Sequence, residues 1–169
     1  MFNNFYPMIQ RIQSVYLLLV MVCQGILFAT SLATFSSYEN SYYLGLTGLY
    51  KLSSAGEELL FNSYALMAFN ILIIVYSAVV IFSFKNRKKQ VRLAGFNIIL
   101  LCGFILLMFF GFDNAKSFLN ISSTAQTAEL STTYGIGMIL PLLSLIFCLL
   151  AIRGIRKDEE LVRSADRIR

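Results

Sequence analysis

The sequence has no histidine and no tryptophan, and only two prolines and three cysteines among its 169 residues. Without histidine there is no His-ligated haem, no imidazole base and no His-containing metal site. Cys23, Cys102 and Cys148 fall one per apolar run and form no C-x-x-C pair, so thiolate redox and metal motifs are missing too. They read as small, polarizable packing residues. Charge is also scarce, at 14% of residues, and none occurs within 15–35, 59–84, 93–112 or 134–152. Pumps, proton relays and voltage sensors normally need an ionisable group at membrane depth, and these runs offer none. No Ser-His-Asp set, Walker loop or Gly-rich nucleotide fingerprint is present. Neither an enzyme nor a cofactor is expected.

What is abundant is apolar sequence. At 57% apolar residues and a mean hydropathy of +0.70, the chain lacks the charge to build a water-facing shell. The excess of cations, 14 Lys and Arg against 9 Asp and Glu, raises the question of nucleic acid. Their distribution answers it: they sit at the ends of apolar runs and form no separate basic face. The densest group is the turn Lys85-Asn-Arg-Lys-Lys-Gln-Val-Arg92, five cations clamped between two uncharged runs. That is the pattern of a membrane hairpin whose turn stays in the cytoplasm.

The runs predict an all-α integral membrane bundle of four transmembrane helices at about 15–35, 63–84, 93–112 and 134–152. They are joined by outer loops 36–62 and 113–133 and by the cytoplasmic turn 85–92. The tail 153–169 reads as a cytoplasmic helical extension of the fourth span. With the N-terminus, the turn and the tail on one side, twelve of the fourteen Lys and Arg residues lie there. The positive-inside rule then places both termini in the cytoplasm of a bacterium's inner membrane. A rival reading takes Arg11, the first apolar run and Ser31-Leu-Ala33 as a signal peptide, but the run exceeds the usual ~7–15-residue apolar core. In the first outer loop Leu44, Leu46, Tyr50 and Leu52 share one parity around Gly45 and Gly48, a weak hairpin signal or a segment lying on the headgroups.

Within the spans a few residues invite attention. Gly25, Ala29 and Ala33 form a four-residue-spaced small stripe that lets another helix approach. Counting ~1.5 Å per residue from the cytoplasmic charges puts Gln24 and Asn70 at one level, where they can bond, and Asn97 lower, beside Tyr16. Pro141 faces the carbonyl of Gly137 and is expected to kink the fourth helix. Arg153, Arg156, Lys157, Arg163 and Arg167 are candidates for docking on anionic lipid headgroups or a partner. Glu159 and Arg163 form an i,i+4 pair, and Leu161, Val162, Ala165 and Ile168 share a face.

Three stretches carry a resemblance. The opening Met8-Ile-Gln-Arg-Ile-Gln-Ser-Val-Tyr-Leu17, the turn Lys85–Leu93 and the ending Leu150–Arg169 resemble a four-helix membrane family of Bacteroidota, domain of unknown function 4293. Gly48-Leu-Tyr50 followed by Gly56-Glu57 is similar to that family's outer loop. The resemblance implies an inner-membrane protein and brings no assigned activity; Met1 to Pro7 precede the family-like start. Two function classes stand open. One is a non-enzymatic scaffold or accessory subunit holding a membrane-protein partner or a second copy. The other is a small oligomeric transporter or channel, its path lined by Gln24, Asn70, Asn97 and the Pro141 kink. The lack of intramembrane charge favours the first.

Overall fold

Four helices close into a ring, and a β-sheet covers one end of it. The computed structural model describes residues 6–37, 40–53, 56–122 and 131–167. The helices are α1 (Tyr6–Ile26), α2 (Tyr64–Phe82), α3 (Arg87–Ser122) and α4 (Leu140–Arg167). Each packs chiefly on two neighbours, in the order α1, α2, α3, α4 and back to α1.

The inward faces follow a heptad. Buried positions step alternately by three and four: Gln13, Leu17, Val20, Gln24 on α1 and Leu27 just past its end; Leu66, Asn70, Ile73, Ser77, Val80 on α2. Gln90, Ala94, Asn97, Leu101, Phe104, Met108 repeat it on α3, and Ser144, Cys148, Ala151, Ile155, Asp158 on α4, where Leu140 precedes Ser144 by four. This is the seam of a left-handed bundle. Its chemistry is inverted relative to a water-soluble bundle. Amides and hydroxyls sit inside, while Leu18, Val22, Val75, Val79, Ile99, Leu106, Phe110, Ile146 and Leu149 are exposed on the outside.

The all-α expectation of four spans is corrected in two respects. First, α2, Arg87–Asn120 of α3 and Ile136–Asp158 are long and apolar enough to cross a membrane, whereas the apolar stretch of α1, Gln13–Ala29, falls short of that length. The first run was read through to Phe35 because it is uncharged. The helix in fact ends in a 3-10 turn, Leu27–Ala29, and Thr30 is extended, at φ −118° and ψ 147°. Ala33 and Phe35 are then buried on alternate positions of a strand. Second, the presumed outer loop 36–62 is largely sheet. Strands β1 (Ala33–Ser36), β2 (Ser41–Leu44), β3 (Gly48–Ser53), β4 (Gly56–Asn62) and β5 (Ser131–Tyr134) form one antiparallel sheet, ordered β4-β3-β2-β1-β5.

The sheet has its own spine. The third span was expected to stop near Phe112, but α3 continues to Ser122 over 36 residues. At ~1.5 Å per residue it is ~54 Å long, well beyond the ~30 Å of a hydrocarbon core. Its last turns bury Phe112, Ala115 and Leu119 against the sheet. Phe112 lies between Phe35 and Tyr134, each ring centroid 5.5 Å away, and Phe118 meets Phe61 at 6.4 Å.

The start of α4 corrects the kink. Pro141 is the second residue of the helix, preceded by a 3-10 turn at Ile136–Met138. A first-turn proline lacks a donor the helix would not use, so nothing bends. Gly135 and Gly137 matter more. A Cβ on them would lie 2.2 and 2.7 Å from the Ser31 carbonyl oxygen. Only glycine lets the exit of α1 and the entry of α4 touch, sealed by Gly135 N–H to Leu32 O at 2.9 Å.

Candidate functional site

One end of the ring gathers the cations. The Gln13 amide donates to the Asp158 carboxylate, and Arg87 Nη1 donates to the Asp158 main-chain oxygen at 3.4 Å. The start of α1, the α2–α3 turn and the C-terminal half of α4 are thereby tied together. Asn86 caps α3, its Oδ1 accepting from the Lys89 N–H at 3.3 Å, and Gln90 Nε2 donates to Val80 O at 3.3 Å. Asp158 is buried here, while Lys88, Lys89, Arg92, Arg153, Arg156 and Lys157 point into the surroundings. Arg163 and Arg167 lie on the last turns of α4. Their side chains, like those of Arg11, Glu159, Leu161, Val162 and Ala165, fall outside the described part of the structure, as does Ile168.

Polar seam residues form a column through the ring. Asn97 Nδ2 donates to Ser77 Oγ at 2.9 Å and approaches Cys148 Sγ at 3.9 Å, while the Cys148 thiol donates to Ala94 O at 3.5 Å. Asn97 therefore finds partners on α2 and α4. One heptad further on, Asn70 Nδ2 donates to the Gln24 main-chain oxygen at 3.3 Å. Gln24 and Asn70 do meet, through one side chain and one backbone carbonyl. Ser144 donates back to Leu140 O at 2.9 Å. Both amide atoms of Gln24, and the Oδ1 atoms of Asn70 and Asn97, are buried without a partner. Cys102 faces outward, while Cys23 and Cys148 are buried, all three as free thiols. Among the described residues no group of three or more Cys, Asp or Glu is arranged to hold a metal.

The small stripe does not survive as a packing surface within the chain. Gly25 and Ala29 are exposed, a Cβ on Gly25 would meet nothing within 4 Å, and Ala33 belongs to β1.

At the opposite end a cleft of about 470 Å³ opens between the end of α1 and the β2–β3 hairpin. Phe28, Ala29, Thr30 and Ser31 form one wall; Tyr43, Thr47 and Tyr50 form the other, with Glu57 from β4. Tyr43 and Tyr50 are direct cross-strand partners whose rings stack at 5.1 Å and 13°. Tyr43 donates its hydroxyl proton to Glu57 Oε2, and Thr47 Oγ1 and Tyr50 OH lie 2.8 Å apart. Partial burial, the bond to Glu57 and that carboxylate's charge, with Tyr50 adding, push the Tyr43 phenol up to about 12.

The family model for the domain of unknown function DUF4293 matches residues 9–168. The chain belongs to that family. No curated protein matches the sequence.

In this DUF4293 chain the polar and charged sequence-derived residues divide between two places, the basic end and the seam. The cleft was missed, although its parts were legible separately. Tyr43, Tyr50 and Glu57 stand on one face only once the strand pairing is known, because alternate residues of paired strands share a face.

Proposed function

We propose that this protein is a non-enzymatic scaffold or accessory subunit of a bacterial cytoplasmic membrane. In this reading the 85–92 turn and the C-terminal half of α4 face the cytoplasm and the five-stranded sheet stands on the outer side. One observation carries it: Asp158 draws Arg87 and Gln13 onto α4, leaving Lys88, Lys89, Arg92, Arg153, Arg156 and Lys157 exposed at one end. Cations next to an apolar bundle gain about 1 kcal/mol each against anionic lipid. Such an end holds a membrane depth and offers a partner a charged face. The rigid ring sets its distance from the sheet.

The test is co-purification of the full chain with lipids and proteins at low and high salt. Wild type is compared with a form carrying Arg153→Gln, Arg156→Gln and Lys157→Gln. The expected outcome is weaker retention of anionic lipid or partner in the neutralised form, with the wild-type signal falling as salt rises. Equal recovery by both forms at both salts defeats the reading.

A second reading, a small oligomeric transporter or channel, draws support from the four unpartnered amide atoms of Gln24, Asn70 and Asn97. Against it, these side chains are 0% exposed, so the seam is closed, not a continuous path.

A further inference from the structure

We propose that the cleft between α1 and the β2–β3 hairpin binds the ammonium group of an aminophospholipid headgroup, between the Tyr43–Tyr50 pair and the Glu57 carboxylate. The ammonium chemistry stands on the lining alone; the lipid as its source rests on the membrane orientation proposed above.

The sign of charge comes first. Among the described residues neither Lys nor Arg lines the cleft, and Glu57 is the one formally charged residue on its walls. Lys51 pairs in register with Glu58, which strand alternation turns to the opposite face from Glu57. An uncompensated carboxylate beside two aromatic rings repels anions and attracts a compact organic cation, because the ring quadrupole adds to the carboxylate's attraction. The carboxylate also keeps capacity. It accepts from Tyr43, and an ionised carboxyl has about four lone-pair sites, so ammonium donors can be added. The Tyr43 bond holds it toward the rings. Cross-strand pairing accounts for the stacked tyrosines; the exposed Glu57 carboxylate beside them adds the negative charge that an ammonium complements.

Position selects the lipid. Phe28 follows the last turn of α1 and is 48% exposed, continuing the apolar outer surface of the ring. The facing wall is the polar hairpin. One side of the cleft thus lies where hydrocarbon ends and the other where water begins, which is headgroup level. A volume of about 470 Å³ suits a headgroup.

The experiment uses the full chain in an uncharged detergent. Short-chain phosphatidylethanolamine, short-chain phosphatidylglycerol and free ethanolamine are titrated, with near-UV circular dichroism of the tyrosines as readout. Wild type is expected to prefer the ethanolamine lipid over the glycerol lipid by about tenfold. Glu57→Gln should erase that preference with an unchanged far-UV spectrum. Should Glu57→Gln not fold, Tyr50→Leu, which removes one ring and keeps the charge, is expected to lower the same preference. Binding of both free ethanolamine and its lipid supports the site, and binding of the lipid alone supports the lipid source still more directly. Binding of ethanolamine without its lipid overturns the lipid assignment. Equal affinity of wild type for the two lipids, or an undiminished preference in Glu57→Gln, overturns the site. Free ethanolamine needs no membrane, and salt-dependent retention at the basic end needs no cleft, so failure of this site and failure of the scaffold reading are separable.

Discussion

Replacing Gln24 with leucine is expected to stabilise the protein. The side chain is 0% exposed, and neither Nε2 nor Oε1 has a partner. Its contact with α2 runs through the backbone, since Asn70 donates to the Gln24 main-chain oxygen, and that bond survives the substitution. A buried polar atom without a partner costs about 1–3 kcal/mol. Both atoms belong to one carboxamide, and a branched side chain fits a packed seam imperfectly, at a cost below about 1.5 kcal/mol. The expected net gain is therefore about 0–3 kcal/mol. Gln24→Ala is the control: it removes the same atoms but opens a cavity, so it should fall below Gln24→Leu by about 2–5 kcal/mol. Because the two residues meet, Gln24→Leu and Asn70→Leu should couple by about 0.5–3 kcal/mol, through packing and not through a side chain-to-side chain bond. Reversible unfolding in lipid bicelles measures all four forms. A loss of more than about 1 kcal/mol in Gln24→Leu would falsify the dry seam. It would mean the amide holds water or a solute, and the transporter reading would gain.

Gly135→Ala should destabilise by about 1–3 kcal/mol, because its Cβ meets the Ser31 oxygen at 2.2 Å, whereas Gly25→Ala, with open space around it, should stabilise by up to about 1 kcal/mol. Equal effects in the same unfolding assay would sink the account of the α1–α4 junction. Tyr43 should titrate near 12, read as the 295-nm absorbance difference between wild type and Tyr43→Phe. Its folded value is raised above the ordinary value of about 10, so its contribution to stability is full below pH ~10 and lost as pH rises through about 12. A difference spectrum appearing near pH 10 would show that neither burial nor Glu57 holds the phenol in its neutral form. In a cysteine-free background, Asn62→Cys should label from outside spheroplasts and Asn86→Cys only after permeabilisation; the reverse pattern contradicts the orientation.

The apolar runs made the bundle legible because charge is excluded from all of them, and the basic turn marked where α2 gives way to α3. The sheet was harder to see. Ala33 and Phe35 belong to an uncharged stretch that reads as a helix as readily as a strand, and β5 pairs with β1 across nearly a hundred residues. Pairing of that kind leaves no local trace. The extension of α3 hid for the opposite reason. Asp113 and Lys116 signalled departure from the membrane, and departure was equated with loop, although a helix can leave lipid and continue as the spine of an outer layer. Gln24 and Asn70 were placed at one level by rise per residue, which holds. Rise per residue carries no information about which atoms bond, so the backbone acceptor went unseen.

The polar seam and the apolar exterior are two sides of one constraint. In water, an apolar seam tells a helix which face to turn inward; against lipid, a leucine gains almost nothing by choosing the inside. What remains to set rotation and register is close packing and the polar side chains, because an amide facing lipid has no partner at all. Asn97 illustrates this: turned outward it would lose Ser77 and, in the proposed membrane setting, meet only hydrocarbon, so its bond fixes the rotation of α3 against α2. Asn70 does the same for α2 against α1 through a backbone oxygen. Asp158, with Gln13 and Arg87, sets α4 against α1 and the turn at the basic end. Each pair of neighbours around the ring that carries such a bond is thereby given a register, which a scaffold needs and an open pore would not supply. Gln24 stands apart, because its side chain bonds nothing and so orients nothing.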